Sequence, residues 1–159
     1  MSLHSVVRSQ YLAALEMLKL SVERCPASLW NHPDDPTPFW RVAYHALFYT
    51  HLYLQATEAD FRPWEKHREK AAHLGTPLAG EPYSLEDILV YLAICQQQVD
   101  ARTAQLDPEA ASGFYWLPFD KLELQFYTIR HIQQHAGELM ERLGSRAGIE
   151  VDWVGRGPA

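Results

Sequence analysis

Apolar residues recur along this chain at helical rather than strand spacing, and four stretches carry the pattern. In the first, Leu3, Val7, Tyr11, Leu15, Leu18, Val22 and Cys25 share a side, while Arg8, Gln10, Glu16, Lys19 and Glu23 fall mostly opposite. That pattern predicts an amphipathic helix stopped by Pro26, which has no amide hydrogen to donate. The second stretch, Phe39 to Ala56, is apolar nearly all round, with Arg41 its only formally charged residue. Thr37 is its expected hydroxyl cap and Pro38 its first helical position. A helix without a polar face is buried on several sides or lies at a subunit interface. Two histidines, Thr50 and Gln55 argue against a membrane span, and no membrane role is expected.

Ser84 opens the third stretch as a cap, with Glu86 and Asp87 in the first turn. Leu85, Ile88, Leu92, Cys95, Val99 and Leu106 form its inward stripe, and Asp107-Pro108 is its expected end. Asp120 and Glu123 have the cap and third-position spacing that starts the fourth. The fourth stripe is Leu124, Thr128, His131, His135, Leu139 and Leu143, with Gly144 the expected stop and Arg142 in the last turn.

The links between these stretches are uneven. Residues 57–83 form a long connection holding Phe61, Pro63, Trp64, Pro77 and Pro82, with a charged piece at Glu65–Lys70 expected to be a short helix. A connection of that length is either a binding loop or lid, or a cover for the end of the fold. Residues 110–118 read as a loop around Gly113, and the tail from Ile149 is expected to pack Trp153 back on the helices and then fray. Four amphipathic helices without a strand predict an all-α four-helix bundle with a long crossover between the second and third helices. It is expected as a single domain over 1–159, with a core of about 3–145 and a tail of 146–159.

Composition narrows the functional classes. The 159 residues, of which 47% are hydrophobic, are enough for one domain with a sizeable core. A net charge of −6 argues against a nucleic-acid surface, and the densest basic stretch, Glu65–Lys70, is mixed with glutamates. Cys25 and Cys95 form no CxxC pair and no disulfide framework, and SLHSVVRSQ has no apolar core of a signal peptide. A cytoplasmic location is expected.

Chemistry gathers on the histidines. His131 and His135 stand four residues apart on one helical face, and both lie on the apolar stripe. An unpaired polar ring buried there costs about 1–3 kcal/mol. His45 shares a face with Val42, Tyr49 and Leu52 in the second helix and also points inward. Three neutral imidazoles from facing helices suit Zn, Ni, Cu or Fe, and three protein ligands leave a coordination position open. Core histidines hydrogen-bonded to tyrosines or backbone are the other reading at this point.

His51 lies about 120° around the helix from His45 and is excluded from the same ion. It is expected to be a supporting or interface residue, and His4, His32, His67 and His73 to be mostly solvated. Tyr49 and Tyr127 are candidate donors to a substrate oxygen, and Glu138 is either the acceptor that orients an imidazole or an exposed glutamate. No H-E-x-x-H, E-x-x-H, G-x-S-x-G or phosphate-binding glycine loop occurs, which removes the zincins, the di-iron carboxylate bundles and the nucleophile-elbow hydrolases.

WRVAYHALFYTHLYL, YSLEDILVYLAICQQQV and LQFYTIRHIQQHAGEL together resemble the DinB-like (YfiT-related, damage-inducible) family, over roughly residues 3–145. The family's pattern is one histidine in the second helix and H-x-x-x-H in the fourth, matched here by His45, His131 and His135. The resemblance implies an up-down-down-up bundle, a divalent metal held by the three histidines, often Zn or Ni, and a homodimer. It also implies a metal-dependent enzyme acting on a small-molecule substrate. Known relatives include thiol S-transferases and isomerases that use a low-molecular-weight thiol such as bacillithiol or mycothiol as co-substrate. Others are described only as metal-dependent hydrolases. The alternative expectation is a non-catalytic dimeric metal-binding or stress-response protein.

Overall fold

A computed structural model describes residues 2–158. The described chain is all-helical: α1 (Leu3–Glu23), a single turn α2 (Ala27–Trp30), α3 (Phe39–Tyr53), α4 (Leu85–Thr103) and α5 (Lys121–Ala147). A 3-10 turn at Glu58–Asp60 follows α3, and one isolated bridge pairs Ala111 with Asp120. None of these helices is long and apolar enough to cross a membrane.

Local chemistry sets the helix ends. Asp120 accepts from the Glu123 amide, and Ser84 with Asp87 closes a reciprocal capping box. At α3 the expected cap is shifted by one residue. Pro38 has an extended ψ of 153° and sits at the cap position, and its carbonyl takes the amides of Arg41 and Val42 at 3.0 and 3.2 Å. α3 ends at Tyr53 rather than Ala56, because the Gln55 side chain donates to the His51 carbonyl at 2.8 Å and the Gln55 amide turns to Leu52.

Two other ends differ from expectation. α4 ends at Thr103, ahead of Asp107-Pro108, where the amides of Gln105 and Leu106 reach back only three residues. α5 runs through Gly144, because Leu143 is still packed in the core. It stops at Gly148, whose left-handed φ of 64° lets the Gly148 and Ile149 amides bond the Gly144 and Leu143 carbonyls.

The long helices meet in a definite pattern. α1 packs on α4 and α5, and α3 packs on the same two. Between them lie the fully buried Tyr11, Leu15, Leu18, Tyr44, Leu47, Ile88, Leu92 and Leu139. His4 meets the Leu106 carbonyl just past α4, and Arg8 pairs with Asp100 at 2.8 Å. Tyr11 donates to Gln125, while Gln133 reaches Met17. Cys95 contacts the Leu47 carbonyl, Arg102 donates to Gln55 at 2.9 Å, and Arg142 donates to the Thr37 carbonyl at 2.8 Å.

The 57–83 connection is a packed cover. Glu65–Lys70 forms turns rather than the expected helix, and Lys70 takes a left-handed φ of 66°. Trp64 stacks on Tyr91 at 4.8 Å, and Arg68 lies 4.0 Å over the Tyr83 ring. The buried Arg41 side chain donates to the carbonyls of Lys70, Ala71 and His73 at 3.1, 3.2 and 2.6 Å, which fixes the turn against α3. The tail also departs from expectation. Trp153 is 72% exposed, while Val151 and Val154 pack on the core. Gly157 donates to the Ser9 carbonyl at 3.0 Å and Arg8 to that of Pro158, so the tail stays attached through Pro158.

Candidate metal centre

α3 delivers His45 and α5 delivers His131 and His135, one helical turn apart on its inward side. The Nε2 atoms of His45 and His135 lie 3.0 and 3.2 Å from Nε2 of His131. All three ligand atoms fall within 4.8 Å of one another, and among the described residues the cluster numbers three.

What lies on the far side of each ring decides which nitrogen carries the proton. His45 Nδ1 stands 2.6 Å from the Ala72 carbonyl, which only accepts, so Nδ1 donates and Nε2 is bare. His135 Nδ1 stands 3.1 Å from Glu138 Oε2, and the same logic leaves its Nε2 bare. Glu138 is held by Arg142 at 2.5 Å. Arg142 also lies 3.7 Å from Asp35, which pairs with Arg146 at 2.5 Å.

Two lone pairs therefore face His131. A neutral His131 bearing its proton on Nε2 can serve only one of them. With the proton on Nδ1, three lone pairs converge and Nδ1 is buried without a partner. Neither tautomer satisfies the cluster, whereas a shared cation satisfies all three Nε2 lone pairs and leaves only the His131 Nδ1 hydrogen without a partner.

Protonation of His131 or His45 is not the remedy. Burial, reinforced by His45 and His135, lowers His131 to about 3. Burial also lowers His45 to about 4, against the partial support of the Ala72 carbonyl. Both rings are neutral near pH 7, the form that ligates metal. Two nitrogens each about 2.0–2.1 Å from a tetrahedral Zn would stand about 3.3–3.4 Å apart. The observed pairs fall short of that by a few tenths of an ångström. The donor set and spacing fit a divalent ion of the Zn or Ni kind.

No family model, no curated protein and no solved structure matches this chain. The site's own geometry therefore carries the functional reading.

Around the triad, Tyr49 presents its ring edge-on to His45 and His131, with centroids 4.9 and 5.8 Å away. Burial, then Tyr127, raises the Tyr49 phenol, so it keeps its proton. Tyr127 lines a surface depression beside His131 with Arg130, Gln133 and Gln134. Its ring neighbours are Tyr53 and Phe119. His51 stays out of the cluster, as expected, and meets the Tyr91 hydroxyl at 3.3 Å. His67 departs from the solvated expectation: Nδ1 meets the Tyr44 hydroxyl at 2.6 Å and its ring stacks on Phe48. His73 and His4 are exposed, though His4 reaches the Leu106 carbonyl.

The sequence reading missed the Ala72 carbonyl, Arg142 as a support, and Asp35. Arg142 had a legible signal, since it follows Glu138 by one helical turn and Glu138 follows His135 by three residues. The Ala72 carbonyl had none, because only the path of the 57–83 segment puts it there.

Proposed function

We propose that this chain is a metal-dependent enzyme of the hydrolase or thiol S-transferase type, built on a DinB-like four-helix bundle. The contacts between helices support an up-down-down-up arrangement. Residues 4 and 8 of α1 meet 106 and 100, at and just beyond the end of α4, so those two run antiparallel. Residues 11 and 17 meet 125 and 133 of α5, so α1 and α5 run together. Residues 47 and 55, in α3 and just past it, meet 95 and 102 of α4, which makes α3 and α4 parallel. Residues 37 and 45, just before and within α3, meet 142 and 131 of α5, which makes those two antiparallel.

The observation that carries the reading is the pair of imidazoles fixed through Nδ1, with both lone pairs aimed at His131. His45, His131 and His135 would hold the ion. A bound Zn or Ni supplies a lowered pKa for a ligated water or thiol, and so a nucleophile near neutral pH. The Ala72 carbonyl and the Glu138 carboxylate keep the rings turned and their Nε2 atoms basic. Tyr49 keeps a phenolic proton beside His45 and His131, a donor for a substrate oxygen. Arg130, Tyr127 and the two glutamines give the approach beside His131 a polar and cationic lining.

A small-molecule substrate, a low-molecular-weight thiol co-substrate in the S-transferase form, a homodimer and a cytoplasmic location complete the proposal. A cluster of three, with no fourth protein ligand among the described residues, favours an enzyme over the non-catalytic metal-binding alternative. Protein purified without an affinity tag is expected to carry about one equivalent of divalent metal and to melt higher when Zn or Ni is added. His135→Ala should abolish uptake while the helices remain folded. Absence of stoichiometric metal, with a melting temperature indifferent to Zn and Ni, overturns the site. Full metal with no turnover of thiol, ester or electrophile probes favours the non-catalytic alternative.

A further inference from the structure

Away from the triad, His51 is a buried polar group that the proposed chemistry does not use. It is only 7% exposed, yet it lines a groove of about 540 Å³ between α3, α4 and the 60–65 segment. Its proton can be placed. Tyr91 is fully buried, and the only partner of its hydroxyl among the described residues is His51 Nδ1 at 3.3 Å. A buried phenol must donate, so Nδ1 accepts and the neutral ring carries its hydrogen on Nε2. That N–H has no partner among the described residues.

Arg102 lines the same groove. Its Nε donates to Gln98 Oε1 at 3.3 Å and its Nη2 to Gln55 Oε1 at 2.9 Å. Gln55 is itself tied to Gln98 and to the His51 carbonyl. The guanidinium is thus held in place by two neutral amides, and its charge meets no carboxylate in these contacts. Nη1 has no partner among the described residues. Along α4 from Arg102 the same helix face turns apolar at Ile94 and Val90, the last 48% exposed, and Trp64 joins them in the lining from the 60–65 segment.

We propose that this groove is a second binding site, which takes a small monocarboxylate with a flat apolar body, its carboxylate received by Arg102 and the His51 N–H. A fixed guanidinium and a neutral N–H donor lining one groove offer a carboxylate's two oxygens a charged and an uncharged donor. Trp64, Ile94 and Val90 receive the body. Asp60 and Glu65 also border the groove, and Asp60 is engaged by the Thr57 hydroxyl at 2.7 Å. These acids set the charge limit, since a second negative group on the ligand would meet them. The site does not depend on the metal centre, because His51 takes no part in the triad.

The test is calorimetric titration of the full chain with 1-naphthoate in a chelating buffer near pH 7.5, which keeps any metal from holding the carboxylate. Saturable binding is expected, about tenfold tighter than 1-naphthylmethanol and than 1,4-naphthalenedicarboxylate. Arg102→Gln should weaken it by about tenfold or more. Val90→Glu places a negative charge on the wall at an exposed position. It should abolish binding with the melting temperature unchanged, which keeps the test informative if Arg102→Gln disturbs the glutamine pair. His135→Ala should bind naphthoate as the parent does. No saturation at millimolar naphthoate, equal affinity for the alcohol, binding retained by Val90→Glu, or loss in His135→Ala each overturns the proposal.

Discussion

Arg142 reaches Glu138 through Nη2 at 2.5 Å and the Thr37 carbonyl through Nη1 at 2.8 Å. The carboxylate that orients His135 is therefore itself held by a side chain anchored on another segment. Removing such a support usually lowers metal affinity about 10–100-fold without removing a ligand. Arg142→Gln is expected to weaken Zn binding within that range while helix content is kept, as read by competition with a chelating dye. Arg142→Lys should recover only part of the loss, because an ammonium lacks the two-pronged fork. Unchanged affinity in both variants would remove Arg142 from the support. A different single-residue constraint sits at Gly113, whose φ is +87° and where an added Cβ would lie 2.0 Å from the Ala56 carbonyl oxygen. That carbonyl is pinned by the Lys121 ammonium at 2.9 Å and cannot retreat freely. Gly113→Ala should cost at least about 2 kcal/mol in urea unfolding. Gly75 has a similar φ of +81° but no neighbour within 4 Å, so Gly75→Ala should cost only about 1 kcal/mol.

α3 was legible as a buried element because it has no polar face, and the structure explains why. It is covered by α4, by α5 and by the 57–83 segment. The amphipathic stripes of α1, α4 and α5 were legible for the same reason, since burial on one side imposes the helical period. His131 and His135 could be singled out because they interrupt the α5 stripe, and His45 because it interrupts the apolar α3. The sequence could not show what lies behind the rings. The Ala72 carbonyl is backbone, and its position depends on Arg41 gathering the carbonyls of Lys70, Ala71 and His73. Nor could the sequence choose between Gly144 and Gly148, because either glycine permits the stop and the packing of Leu143 decides. Arg41→Met is expected to keep α3 while loosening this turn. Amide exchange at 70–73 should speed up, and Zn affinity should fall about tenfold or more as His45 loses its fixed acceptor. Faster exchange with unaltered affinity would show that the Ala72 bond does not hold His45 in place.

At the scale of the whole molecule, three histidines make folding sensitive to acid. Burial lowers His45 and His51 from 6.5 to about 4 and His131 to about 3. The unfolded chain takes up protons on these rings below about pH 6.5, where the folded chain still refuses them. Stability therefore rises with pH across the window from about 4 to 6.5, is full above it, and is lost as pH falls through it. Each ring contributes a slope of up to about 1.4 kcal/mol per pH unit. In chelator-treated protein, urea midpoints measured from pH 7.5 to pH 4.5 should fall steadily below about pH 6.5. His51→Asn should remove one ring's share without touching the triad. A Zn ion bound at the triad adds a second linkage of the same sign, because protons compete with the metal for the Nε2 lone pairs. Free Zn at about 100 times its dissociation constant should add about 2.7 kcal/mol at neutral pH. That increment should vanish in acid and be absent from His135→Ala at every pH. A midpoint indifferent to pH in the chelated protein would mean that the buried rings are not neutral in the fold. A Zn increment that persists in His135→Ala would place the ion somewhere other than between α3 and α5.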